Sequence, residues 1–340
     1  MANTIESIRM SKRGDKPAET IYKRLHTDLG ITKSFLKNFI LPEWWDDEIL
    51  ESPSGFQEFQ LYLLGNLGIS LESWKGTKKL RYSQGSKVLF KKNAKQDIAK
   101  FTTGIQLAKS IAEKAIFSIG HNQRIPKDAQ EVREFFKNKQ IQLKLVLEYF
   151  ANSNIPIIPI YGLPKQTSLP AAMVFRIDGK YAIAVGSRKR SPAQQAFHLL
   201  HELGHIAQGH ISEKVGSYID FSIEKDQEDE LETEANKFAV EVFTGFSNFE
   251  THLFKAKDPK EFATECKTES KKIKVSPAFL ALNFAWANPK DQLWPFVNKV
   301  LEHLEPKDAL KQISNHFIQF FSKENVSEEY FEFLSKIAQV

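Results

Sequence analysis

Two histidines four positions apart, with a glutamate directly after the first, stand in the stretch FHLLHELGHIAQGH: His201, Glu202 and His205. Residues four apart on a helix share one face. Both imidazoles can therefore reach one Zn2+ at about 2.0–2.1 Å. Zinc lowers the pKa of a water it binds towards about 7. Glu202 stands beside the pair, placed to take that water's proton during attack on an amide carbonyl and to pass it to the leaving nitrogen. On a helix this pattern implies metal-assisted hydrolysis. A catalytic zinc also needs a third protein ligand. The downstream stretch EDELETEANKFAVEVF reads as a helix packing through Leu231, Ala235, Phe238 and Val242. Its acids Glu230 and Glu234 lie one turn apart, and either can face the metal across a packed helix pair.

The elements around the motif must hold these groups in place. Ser191 and Pro192 suit the cap and first turn of the motif helix, and Gly209 suits its end. Just before it, AAMVFRIDGKYAIAVG has two apolar runs joined at Asp178-Gly179, a strong hairpin signal. The short connection SRKRS keeps hairpin and motif helix adjacent. One hairpin strand is expected to form a free sheet edge to which an extended substrate can add. NIPII reads as a further strand. TTGIQLAKSIAEKAIFSIG, PKDAQEVREFFKNKQ and QLKLVLEYFANSNI read as helices with apolar stripes. The expectation is an α+β fold.

The motif helix and the ETEANKFAVEVF helix about thirty residues later resemble the ImmA/IrrE family of zinc metallo-endopeptidases, which pairs an AHELGH helix with an E-A-N-x-F-A helix. The resemblance spans roughly residues 95–288. It implies a zincin-like domain with His201, His205 and Glu234 as zinc ligands and Glu202 as catalytic base. It also implies a protein substrate, plausibly a helix-turn-helix repressor. His198 departs from the family, which often has Thr there; packing, or support of a ligand, is the plainer role for its ring. His210, at the helix end, reads as a cation favoured by the helix dipole. Tyr161, Tyr181 and Tyr218 are candidates to stabilise an oxyanion.

The 340 residues allow more than one domain. Residues 1–76 read as a helical domain, 77–94 as a basic linker, 95–288 as the metallopeptidase domain and 289–340 as a helical C-terminal extension. The turns in LGITKSFL and LGISLESW weakly resemble a Cro/repressor helix-turn-helix. The candidate recognition helix, however, runs into PEWWDDE, whose acids repel phosphates. A protein partner is favoured over DNA. The formal net charge is +5, concentrated between Lys75 and Lys100, and an acidic run spans Glu224 to Glu234. The single cysteine, Cys266, excludes an intramolecular disulfide and suits a reducing compartment. No apolar run is long enough for a membrane span, and residues 1–20 do not read as a signal peptide. A cytoplasmic zinc endopeptidase is the expectation. The alternative is a regulatory or antitoxin-like binding protein with a structural zinc.

Overall fold

The computed structural model describes residues 17–76, 79–83, 88–90, 98–118, 122–137, 139–164, 167, 169–211, 217–220, 230–249, 258–288, 292–321 and 326–339. Most of the basic run and the acidic run before Glu230 lie outside them.

The chain is α+β, with one sheet enclosed by helices. The strands are β1 (Val88–Phe90), β2 (Ile157–Pro159), β3 (Ala172–Ile177), β4 (Lys180–Val185) and β5 (Ser217–Asp220), in the order β1-β5-β3-β4-β2. The β3–β4 hairpin turns at Asp178 and Gly179, whose φ angles of 50° and 77° are those of the tight turn that the Asp-Gly pair favours. The free hairpin edge expected from the sequence does not exist. β3 pairs with β4 and β5, and β4 pairs with β3 and β2. The short segments β1 and β2 take the edges because the chain returns to the sheet from both directions.

Side chains alternate across a strand, and in β3 and β4 both faces are apolar. Ala172, Val174, Ile183 and Val185 join a core with the motif helix (Pro192–Ala207), the acidic helix (Glu230–Thr244) and the helices Ala129–Phe136, Leu143–Asn152, Pro259–Ile273, Pro277–Ala287 and Trp294–Leu304. Met173, Phe175, Ala182 and Ala184 face a second core. That core takes in the N-terminal helices Pro17–Leu29 and Pro53–Leu67, the long helix Ile98–Ser118 and the C-terminal helices Ala309–Phe320 and Glu328–Ala338. The second core runs continuously from the N-terminal helices to the sheet.

The candidate recognition segment starts at a Thr32 cap, as read from the sequence, and continues as Lys33–Phe35 and a π turn, Leu36–Ile40. Phe35, Leu36 and Ile40 are buried, and the segment packs on the helix Glu328–Ala338. Lys33 and Lys37 both pair with Asp47. Those contacts occupy the lysines that a DNA-reading helix would turn to phosphate. No helix among the described residues is long and apolar enough to cross a membrane.

Glu305 ties the C-terminal region to the motif helix. Its carboxylate accepts from the Ser191 hydroxyl and from the Ala193 N–H at 3.2 Å, capping the helix from outside. Burial pushes its pKa up to about 7, against the hydrogen bonds from Ser191 and Ala193. A carboxyl raised above its ordinary value near 4.5 favours the fold when protonated, so stability falls as pH rises from about 4.5 through 7. We expect Glu305→Gln, which keeps an acceptor, to flatten this dependence and to be worth about 3 kcal/mol at pH 8. Thermal melts of both proteins between pH 5 and 8 check this; parallel pH profiles would contradict it.

Candidate metal centre

The motif helix begins at Ser191, whose hydroxyl accepts from the Gln194 N–H at 3.2 Å, with Pro192 in the first turn. From Pro192 to Ile206 every residue except His198 is buried, because helices and the sheet enclose it. It ends in a reversal at Gly209, φ 72°. The Gly209 N–H donates to the Ile206 carbonyl and the His210 N–H to the His205 carbonyl, at 3.2 and 3.0 Å. This paired closure is the Schellman motif, and it folds His210 back over the last turn.

The acidic helix packs directly on the motif helix at Gly204. A Cβ there would lie 3.0 Å from the Ala235 Cα, 3.1 Å from its carbonyl oxygen and 3.2 Å from the Phe238 Cβ. Glycine permits this approach without strain; any side chain would press the two backbones a few tenths of an ångström apart. It brings His201 and His205 against Glu232, with relative exposures of 1%, 0% and 2%.

One ligand atom from each of His201, His205 and Glu232 lies within 4.8 Å of the others. The two Nε2 atoms are 3.1 Å apart, and each is 3.4 Å from a Glu232 carboxylate oxygen. A tetrahedral centre with bonds of about 2.05 Å has edges of about 3.3 Å, so the spacing fits a zinc-sized ion. The hydrogen bonds outside the cluster strengthen the fit. His201 Nδ1 lies 2.9 Å from Asn236 Oδ1, an acceptor, so Nδ1 carries the proton and Nε2 turns a lone pair inward. Two ring lone pairs and a carboxylate facing one another are a donor set for a cation.

Burial pushes the His205 pKa down to about 4, against the pull of the neighbouring Glu232 carboxylate, so the ring is in its neutral, ligating form at pH 7. Burial works to raise the Glu232 carboxyl, but the imidazoles of His201 and His205 beside it outweigh burial and hold the group well below the ordinary carboxylate range. Glu202, the expected base, is buried at 2% exposure next to His201 on the same helix.

Glu234, the acid expected as third ligand, does not join this group; Glu232 does. Glu232 lies three and four residues before Ala235 and Asn236, on the face turned to the motif helix. Glu234 lies off that face, with its side chain 46% exposed, and pairs with His210 at 2.9 Å. Glu230 is exposed. The signal that points to Glu232 is its phase with Asn236 and Ala239. The packing stripe read from the sequence holds at Ala235, Phe238 and Val242, all buried, while Leu231 is only partly buried.

His198, half-buried at its surface, is held neutral: loss of water around the ring, then His201 and Lys189, push its pKa down to about 3. Tyr161 is buried with no hydrogen-bond partner for its hydroxyl, and Tyr181 packs at the rim of the motif-side core. The side chain of Tyr218 lies outside the described residues. Cys266 is fully buried, and burial pushes its thiol up to about 12, as suits an inert packing residue.

An HExxH helix crossed by a glutamate-bearing helix, on an α+β scaffold with helical flanks, fits a zincin-like fold. Residues 162–267 match the family model Peptidase_M78, the IrrE N-terminal-like domain. The match takes in the hairpin, the motif helix and the acidic helix, the elements on which the sequence resemblance rests. No curated protein and no solved structure matches the chain significantly.

The Gly204 contact yields a test. A valine there forces two backbones apart, because the atoms it meets are main chain and Cβ. We expect Gly204→Val to cost about 1–3 kcal/mol of stability and to weaken zinc binding beyond that loss. Isothermal titration with zinc under conditions where both proteins are folded checks this. Unchanged affinity in a folded variant would show that the contact does not set the site.

Proposed function

We propose that the chain is a zinc-dependent endopeptidase that hydrolyses a peptide bond in an intracellular protein substrate. The observation that carries this is the buried convergence of His201, His205 and Glu232 beside Glu202. The family match supports the peptidase class. His201, His205 and Glu232 would hold the ion. A zinc ion so bound would supply Lewis acidity towards a carbonyl oxygen and acidify water.

The chain's own residues do the rest. Glu202, next to His201, takes the proton of the attacking water and gives it to the leaving amine. Its burial in a water-poor setting strengthens both transfers. Asn236 keeps the His201 ring in one orientation and one tautomer. The resemblance to ImmA/IrrE proteins points to a DNA-binding repressor as substrate. The pairing of Lys33 and Lys37 with Asp47 favours a protein partner over DNA for the N-terminal helices. The cell's reducing cytoplasm is the proposed site of action, consistent with a lone buried thiol.

The test combines metal analysis with cleavage. The purified protein should contain one zinc per chain and cut a candidate repressor in a chelator-sensitive manner. Glu202→Gln should keep the zinc and lower the cleavage rate about 10²–10⁴-fold. His205→Ala and Glu232→Ala should lose most of the zinc. Stoichiometric zinc with no cutting of any partner would support a binding protein with a structural ion. Full zinc occupancy in Glu232→Ala would remove Glu232 from the site.

A further inference from the structure

The cluster of side chains just outside the donor set has an order of its own. His205 Nδ1 lies 2.8 Å from His210 Nδ1, and His210 Nε2 lies 2.9 Å from Glu234 Oε2. The three groups come from three places: the motif helix, its Schellman closure and the acidic helix. We infer that Glu234 and His210 form a relay that positions His205, and that the helix end is thereby part of the metal centre. This rests on the zinc reading given above.

The directions of the hydrogen bonds follow from chemistry. A carboxylate only accepts, so His210 Nε2 carries a proton and donates it to Glu234. In this tautomer Nδ1 of the His210 ring offers a lone pair. His205 must donate to it from its own Nδ1, which leaves His205 Nε2 with a lone pair. That atom is the one 3.1 Å from His201 Nε2 and 3.4 Å from Glu232. The carboxylate therefore fixes, through two rings, which nitrogen of His205 faces the ion. It also adds negative charge behind the ligand, which raises the basicity of the bound nitrogen. His201 has a simpler counterpart, the single acceptor Asn236.

Backbone geometry supports the same reading. His210 is where it is because Gly209 adopts φ 72° and the His210 N–H bonds the His205 carbonyl. A helix that simply continued would carry residue 210 away from His205, since residues five apart do not share a face. The reversal brings the two rings together edge-on, at a centroid separation of 5.0 Å. The His210 side chain is 4% exposed, whereas that of Glu234 is 46% exposed. The buried relay thus opens to solvent at its carboxylate.

The experiment measures zinc affinity by chelator competition in the full chain, together with solvent exchange of the His205 Nδ1 proton by nitrogen-15 NMR in the zinc-loaded protein. We expect His210→Ala to weaken zinc binding about 10–100-fold and to speed exchange of that proton. His210→Gln, which restores a carbonyl acceptor, should recover part of both. Glu234→Gln should have a smaller effect of the same sign. Zinc loss in Glu234→Gln as complete as in Glu232→Ala would make Glu234 a direct ligand and overturn the relay. Wild-type affinity and exchange in both His210 variants would also overturn it. If the wild-type chain itself fails to bind zinc tightly, the metallopeptidase reading fails, and the relay falls with it. Melting curves of each variant separate these outcomes from unfolding.

Discussion

The close approach of two helix backbones at Gly204 is the constraint on which the rest of the site depends. Histidine ligands come from one helix and the carboxylate from the other, so helix separation sets ligand separation. Ordinary packing keeps helix axes about 8–10 Å apart, with the distance set by the side chains at the contact. With no side chain at position 204, Ala235 and Phe238 press on the motif helix backbone, at distances that would leave a Cβ tightly crowded. The HELGH stretch thus contains the residue that sets the depth of the metal site as well as two of its ligands. Phe197 adds a lateral wall on the same helix, 6.4 Å from His201 and 4.3 Å from Trp286 between ring centroids. Phe243 and Phe279 stack 4.3 Å apart beyond it.

This wall makes the polar groups costly. Burying an ionised carboxylate and two imidazole acceptors in an apolar setting is unfavourable unless something compensates. Partners outside the cluster compensate in part: Asn236 for His201, His210 for His205. Those partners all satisfy the outward ring nitrogens. None of them relieves the three inward acceptors, which face one another. The fold therefore places its compensation on the outside of each ligand and its electrostatic tension in the middle. That is the arrangement expected where binding of a cation contributes to folded-state stability.

Much of this was legible before the structure. Ser191, Pro192 and Gly209 mark both ends of the motif helix because capping chemistry is local. The Asp178-Gly179 turn was legible for the same reason. The carboxylate that meets the two histidines was not, because it depends on how one helix is rotated against another. Glu230 and Glu234, one turn apart, look like the natural candidates when the stripe is drawn through Leu231. The contact at Gly204 rotates the helix so that Glu232, Ala235 and Asn236 face inward together, and Leu231 becomes only partly buried. His210 reads as a dipole-favoured terminal cation from sequence. Its actual neighbour, His205, becomes apparent only once the chain reverses at Gly209. The sheet edge was misjudged on similar grounds, since pairing with the distant strands β2 and β5 is a non-local property.

That pairing changes what the sheet can do. A hairpin with both strands occupied does not offer its ladder to an extended peptide. It works instead as a wall between two cores, and its alternation fixes how they communicate. Val174 and Ile183 on one face support the motif side; Met173, Phe175, Ala182 and Ala184 on the other hold the N-terminal and C-terminal helices. Interiors are close-packed, so a volume change on one face is felt by the strand backbone and hence on the other. Glu305 supplies a second connection: it lies at the end of the helix Trp294–Leu304 and caps the motif helix at its first turn. The motif helix is thus gripped at its start by the C-terminal region, at its middle by the acidic helix and along its length by the sheet. Helices remote in sequence act on the same rigid element, which is the element that must hold two imidazoles within a few tenths of an ångström of a ligating geometry.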